Sequence, residues 1–92
     1  MDMDIEAIRI VVRGRVQGVY FRGSAQTLAV ELGLSGLAKN CPDGTVEIHA
    51  EGVRASLDEF IEWCKKGPPS ADVTGIDVTP VPPQGDEKFL TC

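Results

Sequence analysis

The 92-residue chain has little of what catalysis and metal binding usually draw on. It holds one histidine, His49, and three cysteines, Cys41, Cys64 and Cys92, set 23 and 28 residues apart. No CxxC pair and no Cys-His spacing occurs, which excludes the common zinc patterns. No apolar run approaches the roughly 20 residues of a membrane span. The start, Met1-Asp2-Met3-Asp4, is acidic, whereas a secretory signal needs a basic start and then an apolar stretch. An odd cysteine count with no export signal suits reduced thiols in the cytoplasm. No glycine loop runs into Gly-Lys-Ser/Thr, so nucleotide hydrolysis by the P-loop route is excluded. No repeat or low-complexity segment appears.

What is present is an ordinary globular composition, 42% hydrophobic and 25% charged, which excludes disordered and fibrous classes. A chain of this length makes a single domain, 1–92, burying roughly 60–65% of its unfolded surface. The charge is unevenly placed. From Ala7 to Val30 there is no acidic residue, and Arg9, Arg13, Arg15 and Arg22 give that segment +4. The other 68 residues hold 5 basic and 14 acidic side chains, a balance of −9. That distribution fits a local anion site and not a surface that wraps a long polyanion, which the acidic remainder would repel. Arg9 and Arg13 read as solvent-facing strand residues.

Ile8, Ile10 and Val12 alternate with Arg9, Val11 and Arg13, a period-two strand that Gly14 is expected to end. Ala25, Leu28, Ala29 and Leu32 make one helical stripe, closed by Gly33. Gly36 to Asn40 reads as a strand, and Cys41-Pro42-Asp43-Gly44 as a turn. Val46, Ile48 and Ala50 then alternate with Glu47, His49 and Glu51, completing a hairpin, with His49 a solvated side chain on its polar face. Ser56-Leu57-Asp58-Glu59 has the form of a capping box. Leu57, Phe60, Ile61 and Cys64 follow as a second stripe, with Lys65 and Lys66 in the last turn and Gly67-Pro68-Pro69 as the stop. Val73, Ile76 and Val78 mark a strand with a bulge at Thr74-Gly75. Pro80, Pro82, Pro83 and Gly85 are placed in a loop, and Lys88 to Thr91 in a short last strand. The order β-α-β-β-α-β with a short extra strand predicts an α/β (α+β) ferredoxin-like sandwich, two helices on one face of a mainly antiparallel sheet. That fold by itself gives no function.

Gly14-Arg15-Val16-Gln17-Gly18-Val19-Tyr20-Phe21-Arg22 joins a strand to a helix. Glycines let successive N–H groups converge on an anion, and a helix start adds favourable potential. Arg22 falls at that helix start, where its planar fork can bond two phosphate oxygens. From spacing alone, an anion cradle and a plain turn with a surface arginine both remain open.

The segment Val16-Gln17-Gly18-Val19-Tyr20-Phe21-Arg22 resembles the signature of the acylphosphatase family. Leu34-Ser35-Gly36-Leu37-Ala38-Lys39-Asn40, then Asp43-Gly44-Thr45-Val46-Glu47, and Gly67-Pro68 extend the resemblance, which runs from about Ile8 to Leu90. It implies an enzyme that hydrolyses acyl phosphates to carboxylate and inorganic phosphate with no cofactor. It maps the phosphoryl-binding arginine onto Arg22 and the water-positioning asparagine onto Asn40. It makes the amides of Arg15, Val16, Gln17, Gly18 and Val19 the phosphate cradle. Arg15 is expected to steer the anion from the loop rim, with Arg13 and Lys39 left as surface.

An acyl phosphate already carries a good leaving group, so positioning and charge stabilisation suffice. The absence of a nucleophile–base pair and of a metal constellation agrees with that. The expected partners are a small acyl phosphate and inorganic phosphate, not nucleic acid or membrane, and the expected state is a monomer. Readings from other classes are an RNA binder, a metal carrier and a non-catalytic acyl-phosphate or carbamoyl-phosphate module. The first needs aromatic platforms on the open sheet; Phe60, Trp63 and Phe89 read instead as core or helix positions. The second needs paired thiols where Gln17-Gly18-Val19 stands. The third would keep the site without turnover.

Overall fold

In the computed structural model, which describes residues 4–92, seven elements follow in chain order. They are β1 (Glu6–Arg15), α1 (Phe21–Glu31), β2 (Ser35–Asn40), β3 (Val46–Gly52), α2 (Arg54–Cys64), β4 (Asp72–Val81) and β5 (Phe89–Thr91). The acidic start at Met1, Asp2 and Met3 lies outside the described residues. The sheet order is β4-β1-β3-β2-β5, with β5 parallel to β2 and the other neighbours antiparallel. This is the α+β ferredoxin-like sandwich, with two helices on one face. No described helix is long and apolar enough to cross a membrane.

Register explains the core. Ile8, Ile10 and Val12 stand opposite Ala50, Ile48 and Val46, and Ala38 stands opposite Ile48. Paired residues share a face, so the alternating apolar set of three strands points to the helices. There it meets Phe21, Ala25 and Ala29 of α1 and Leu57, Phe60 and Cys64 of α2. Phe21, Phe60, Ile10, Ile48 and Leu57 are fully buried, each worth about 1.5–3 kcal/mol of burial. Phe21 and Phe89 flank the Phe60–Trp63 pair, with ring centroids 5.1 Å apart for Phe21–Trp63 and 6.0 Å for Phe60–Phe89.

The α1 stop forms as its sequence predicts. Gly33 adopts φ 74°, its amide bonds the Val30 carbonyl at 3.1 Å and the Leu34 amide bonds that of Ala29 at 2.8 Å, which is a Schellman closure. Four local expectations are corrected. First, β1 continues past Gly14 to Arg15. At φ 122° Gly14 has the Asp72 carbonyl where a Cβ would sit, so the glycine permits close passage rather than a break. The shift from Arg13↔Gly75 to Gly14↔Val73 leaves Thr74 unpaired, the predicted bulge. Second, α2 starts at Arg54 after Val53 with no side-chain cap; Ser56 is already inside the helix, so no capping box forms. Third, α2 ends at Cys64, which leaves Lys65 and Lys66 just beyond it. Fourth, Pro80 lies within β4 opposite Ile8. β4 is an edge strand, where a missing N–H costs no ladder bond.

Candidate active site

Five residues connect β1 to α1. Val16, Val19 and Phe21 are buried, so the apolar positions pin the connection to the core. Gly18 takes φ 74° and Tyr20 φ 63°, ψ 31°. Tyr20 is the only described non-glycine residue in the left-handed region, and its ring is exposed over Gly23, where a Cβ would come within 2.5 Å of it. Side-chain hydrogen bonds to and from other segments brace this connection. Ser70 donates to the Val19 carbonyl at 3.0 Å. The Gln17 amide donates to the carbonyls of Cys41 at 2.8 Å and Thr45 at 2.9 Å.

Arg22 sits in the first turn of α1, and its guanidinium donates to the Cys92 backbone oxygen. Asn40 is the last residue of β2 and is exposed. Both line one cleft of about 360 Å³, with Val16, Gly18, Tyr20, Phe21, Gly23, Gln26 and Thr91. The Gln26 amide donates to the Phe89 carbonyl at 2.7 Å and so ties α1 to β5 beside the cleft.

Of the sequence-derived site residues, Val16, Gly18, Arg22 and Asn40 therefore meet in one cleft. Arg15, Gln17 and Val19 do not line it. Arg15 is at the end of β1 opposite Asp72. Arg9 pairs with Glu47, Arg13 with Asp77, and Lys39 with Glu47 at 3.4 Å. The Arg9 guanidinium, with help from Lys39 and against burial, holds the Glu47 carboxyl below its ordinary value. A roomier hollow of about 580 Å³ lies on the open sheet face among Arg9, Leu37, Lys39, Glu47, His49 and Leu90. Arg9 and Lys39 already share Glu47 there, and Lys88 lines it together with Asp86 and Glu87, so it offers an anion less than the smaller cleft does.

His49 is not the solvated side chain expected from its polar face. It is largely covered, and its Nε2 lies 2.6 Å from a Glu51 carboxylate oxygen. Glu51 is buried and also accepts the amides of Gln84 at 2.6 Å and Gly85 at 3.0 Å. Asp86 lies 3.9 Å from His49. Among the described residues these three form the one group whose ligand atoms lie close enough for a metal ion. Both Glu51 oxygens already accept amides of the β4–β5 loop, so the group reads as a latch. Alternation alone put Glu51 beside Glu47 on an open face. The loop that buries it comes some thirty residues later and carries no periodic pattern.

The molecule is an α+β sandwich of the ferredoxin-like type with an arginine and an asparagine lining one cleft. The acylphosphatase family profile matches residues 8–91. An acylphosphatase of Alkalilimnicola ehrlichii is 51% identical over 84 residues, 91% of this chain and 94% of the relative. One of Methylococcus capsulatus is 51% identical over 74 residues, 80% of each chain. The crystal structure of acylphosphatase from Bacillus subtilis superposes with a TM-score of 0.92 at 43% identity, covering 95% of this chain and 98% of that one. The chain belongs to the acylphosphatase family, and it is a hydrolase.

Proposed function

We propose that the chain hydrolyses acyl phosphates to carboxylate and inorganic phosphate without a metal ion, with Arg22 and Asn40 as its catalytic residues. The observation that carries this reading is the meeting of both side chains with Gly18 in one cleft. Left-handed Gly18 and Tyr20 either side of Val19 give the alternation that turns successive amides toward one centre. The loop from Arg15 to Val19, which enters the cleft lining at Val16 and Gly18, cradles the phosphate oxygens with its amides, and Arg22 bonds them at the start of α1, where the helix end favours negative charge. Arg15 steers the anion from the rim.

Asn40 holds water in line with the leaving carboxylate. The water oxygen attacks phosphorus, the P–O bond to the acyl group breaks, and the bonding pair leaves with the carboxylate. An amide is a poor base, so the water proton passes to a phosphate oxygen. No covalent intermediate forms. The working state is a monomer, and an odd number of cysteines with free thiols suits the cytoplasm.

The test is benzoyl phosphate hydrolysis in excess EDTA, wild type beside Asn40→Ala. The expected result is turnover by the wild type and a fall in kcat of about 10²–10³ in the variant. No turnover by folded wild type would replace this reading with a phosphate-binding module. A kcat within about threefold of wild type in Asn40→Ala would remove the water-positioning role, set against that same ~10²–10³.

A further inference from the structure

We infer that the Gln17 side chain is a positioning residue for this hydrolysis: it locks the turn that follows Asn40 onto the loop that holds phosphate, and so sets the spacing between the two halves of the site. The inference rests on the role proposed above for Asn40.

The turn after Asn40 is stiff within itself. The Cys41 amide bonds the Thr45 carbonyl at 2.9 Å and the Gly44 amide bonds the Cys41 carbonyl at 3.1 Å. Asp43 accepts the Thr45 amide at 3.0 Å and its hydroxyl at 2.6 Å. A stiff hairpin tip still pivots as a body unless something beyond its own strands holds it. Gln17 does so. Its Nε2 gives one proton to Cys41 and one to Thr45, the two carbonyls that also close the turn. Two acceptors at those distances fix which way the amide faces. Val16 and Val19 are buried on either side of Gln17, so the anchor itself does not drift.

Cys41 adjoins Asn40, and any pivot of the tip therefore moves the asparagine relative to Arg22 and Gly18. A misplacement of about 1 Å costs as much as ~10²-fold in rate. Both protons of the Gln17 side-chain nitrogen go to the turn, and only its backbone amide belongs to the cradle, so the side chain acts through Asn40. The role calls for a neutral side chain with two donors on one atom. A carboxylate would set acceptors against acceptors, and a cation would compete with Arg22 for the phosphate.

The experiment is a double-mutant cycle of Gln17→Met and Asn40→Ala, measuring kcat and KM for benzoyl phosphate and competitive inhibition by inorganic phosphate. Methionine keeps length and volume and removes both donors. Gln17→Met should lower kcat at least about tenfold, within the ~10²-fold ceiling above, and leave phosphate inhibition within about threefold. In the Asn40→Ala background the same substitution should change kcat less than about twofold, because coupled residues are not additive. An unchanged kcat, or an equal loss in both backgrounds, overturns the inference. Asn40→Ala measured alone separates the two ideas, since wild-type kcat there sinks the role of Asn40 itself. Should Gln17→Met not fold, Gln17→Glu decides. Its activity relative to wild type should rise as pH falls toward about 4.3, where a protonated carboxyl regains a donor. A flat ratio contradicts the inference.

Discussion

His49 and Glu51 stand two residues apart on one face of β3, 2.6 Å from each other, under the loop that leads from β4 to β5. The carboxylate takes the amides of Gln84 and Gly85 as well, so one buried side chain satisfies two loop donors and the imidazole. Burial pushes the Glu51 carboxyl up, but His49 and the two amides outweigh it, and the group titrates below its ordinary 4.5. A carboxyl lowered by folding contributes stability that is complete above its unfolded value and lost as pH falls through its folded one. Glu51→Gln should therefore cost about 1–3 kcal/mol near neutral pH, the cost of leaving buried donors unpaired. In urea unfolding, the gap from wild type should narrow below about pH 4 as the wild-type carboxyl is protonated. A gap that holds constant across that range would contradict the latch.

The same pair bears on catalysis. His49 and Glu51 are absent from the cleft lining. His49→Ala should therefore leave kcat for benzoyl phosphate within about threefold of wild type, far from the ~10²-fold loss of a general base. A loss of that size would make the one histidine a catalyst after all.

Periodicity reported the elements well where a single face was being buried. Ile8, Ile10 and Val12 alternate because only one side of β1 meets helices, and Leu57, Phe60 and Cys64 fall on one stripe for the same reason. It failed where the deciding partner lay far along the chain. The Asp72 carbonyl beside Gly14, the edge position of Pro80 and the loop over Glu51 are all long-range facts. The Ser56 to Glu59 pattern misled because Val53 serves as N-cap and its carbonyl takes the Leu57 amide at 3.0 Å. Arg22 and Asn40 were singled out because the motif names them, and the fold brings both to one cleft. The Gln17 contacts were not, because backbone carbonyls 24 and 28 residues away leave no mark in the sequence.

Arg22→Lys tests geometry against charge. The guanidinium sits at the cleft with one nitrogen already on the Cys92 backbone oxygen. Lysine keeps the positive charge and loses the planar fork. Inhibition by inorganic phosphate should weaken at least about tenfold and kcat should not be rescued, as expected when a bidentate charged bond becomes a single point charge. Inhibition at the wild-type level would remove Arg22 from the phosphate site.

Two glycines give one substitution two outcomes. Gly36 has φ 141° in β2, and its Cβ would run into the His49 carbonyl of β3, backbone against backbone. Gly44 has φ 93° at the hairpin tip with nothing within 4 Å. Gly44→Ala should cost about 1–2 kcal/mol, the conformational penalty alone. Gly36→Ala should cost more than about 3 kcal/mol, because strain adds to a clash that neither strand can relieve without shifting register. Equal thermal midpoints for the two variants would show that the β2–β3 contact relaxes.

The three cysteines should separate by reactivity with a thiol-specific disulfide reagent. Burial without any charged partner pushes the Cys64 thiol far above its ordinary value, and the side chain is fully covered. It lacks both the thiolate and the access that exchange requires. Cys92 is exposed and Cys41 half-exposed. Native protein should therefore release two equivalents, and the third only in denaturant, at a rate that follows the opening of the core. Cys64→Ser should then unfold at lower denaturant, because a hydroxyl buried beside Phe60 has no apolar compensation. Its native titre should still be two. A native titre of three in the wild type would mean that α2 opens from the sheet on the timescale of the assay.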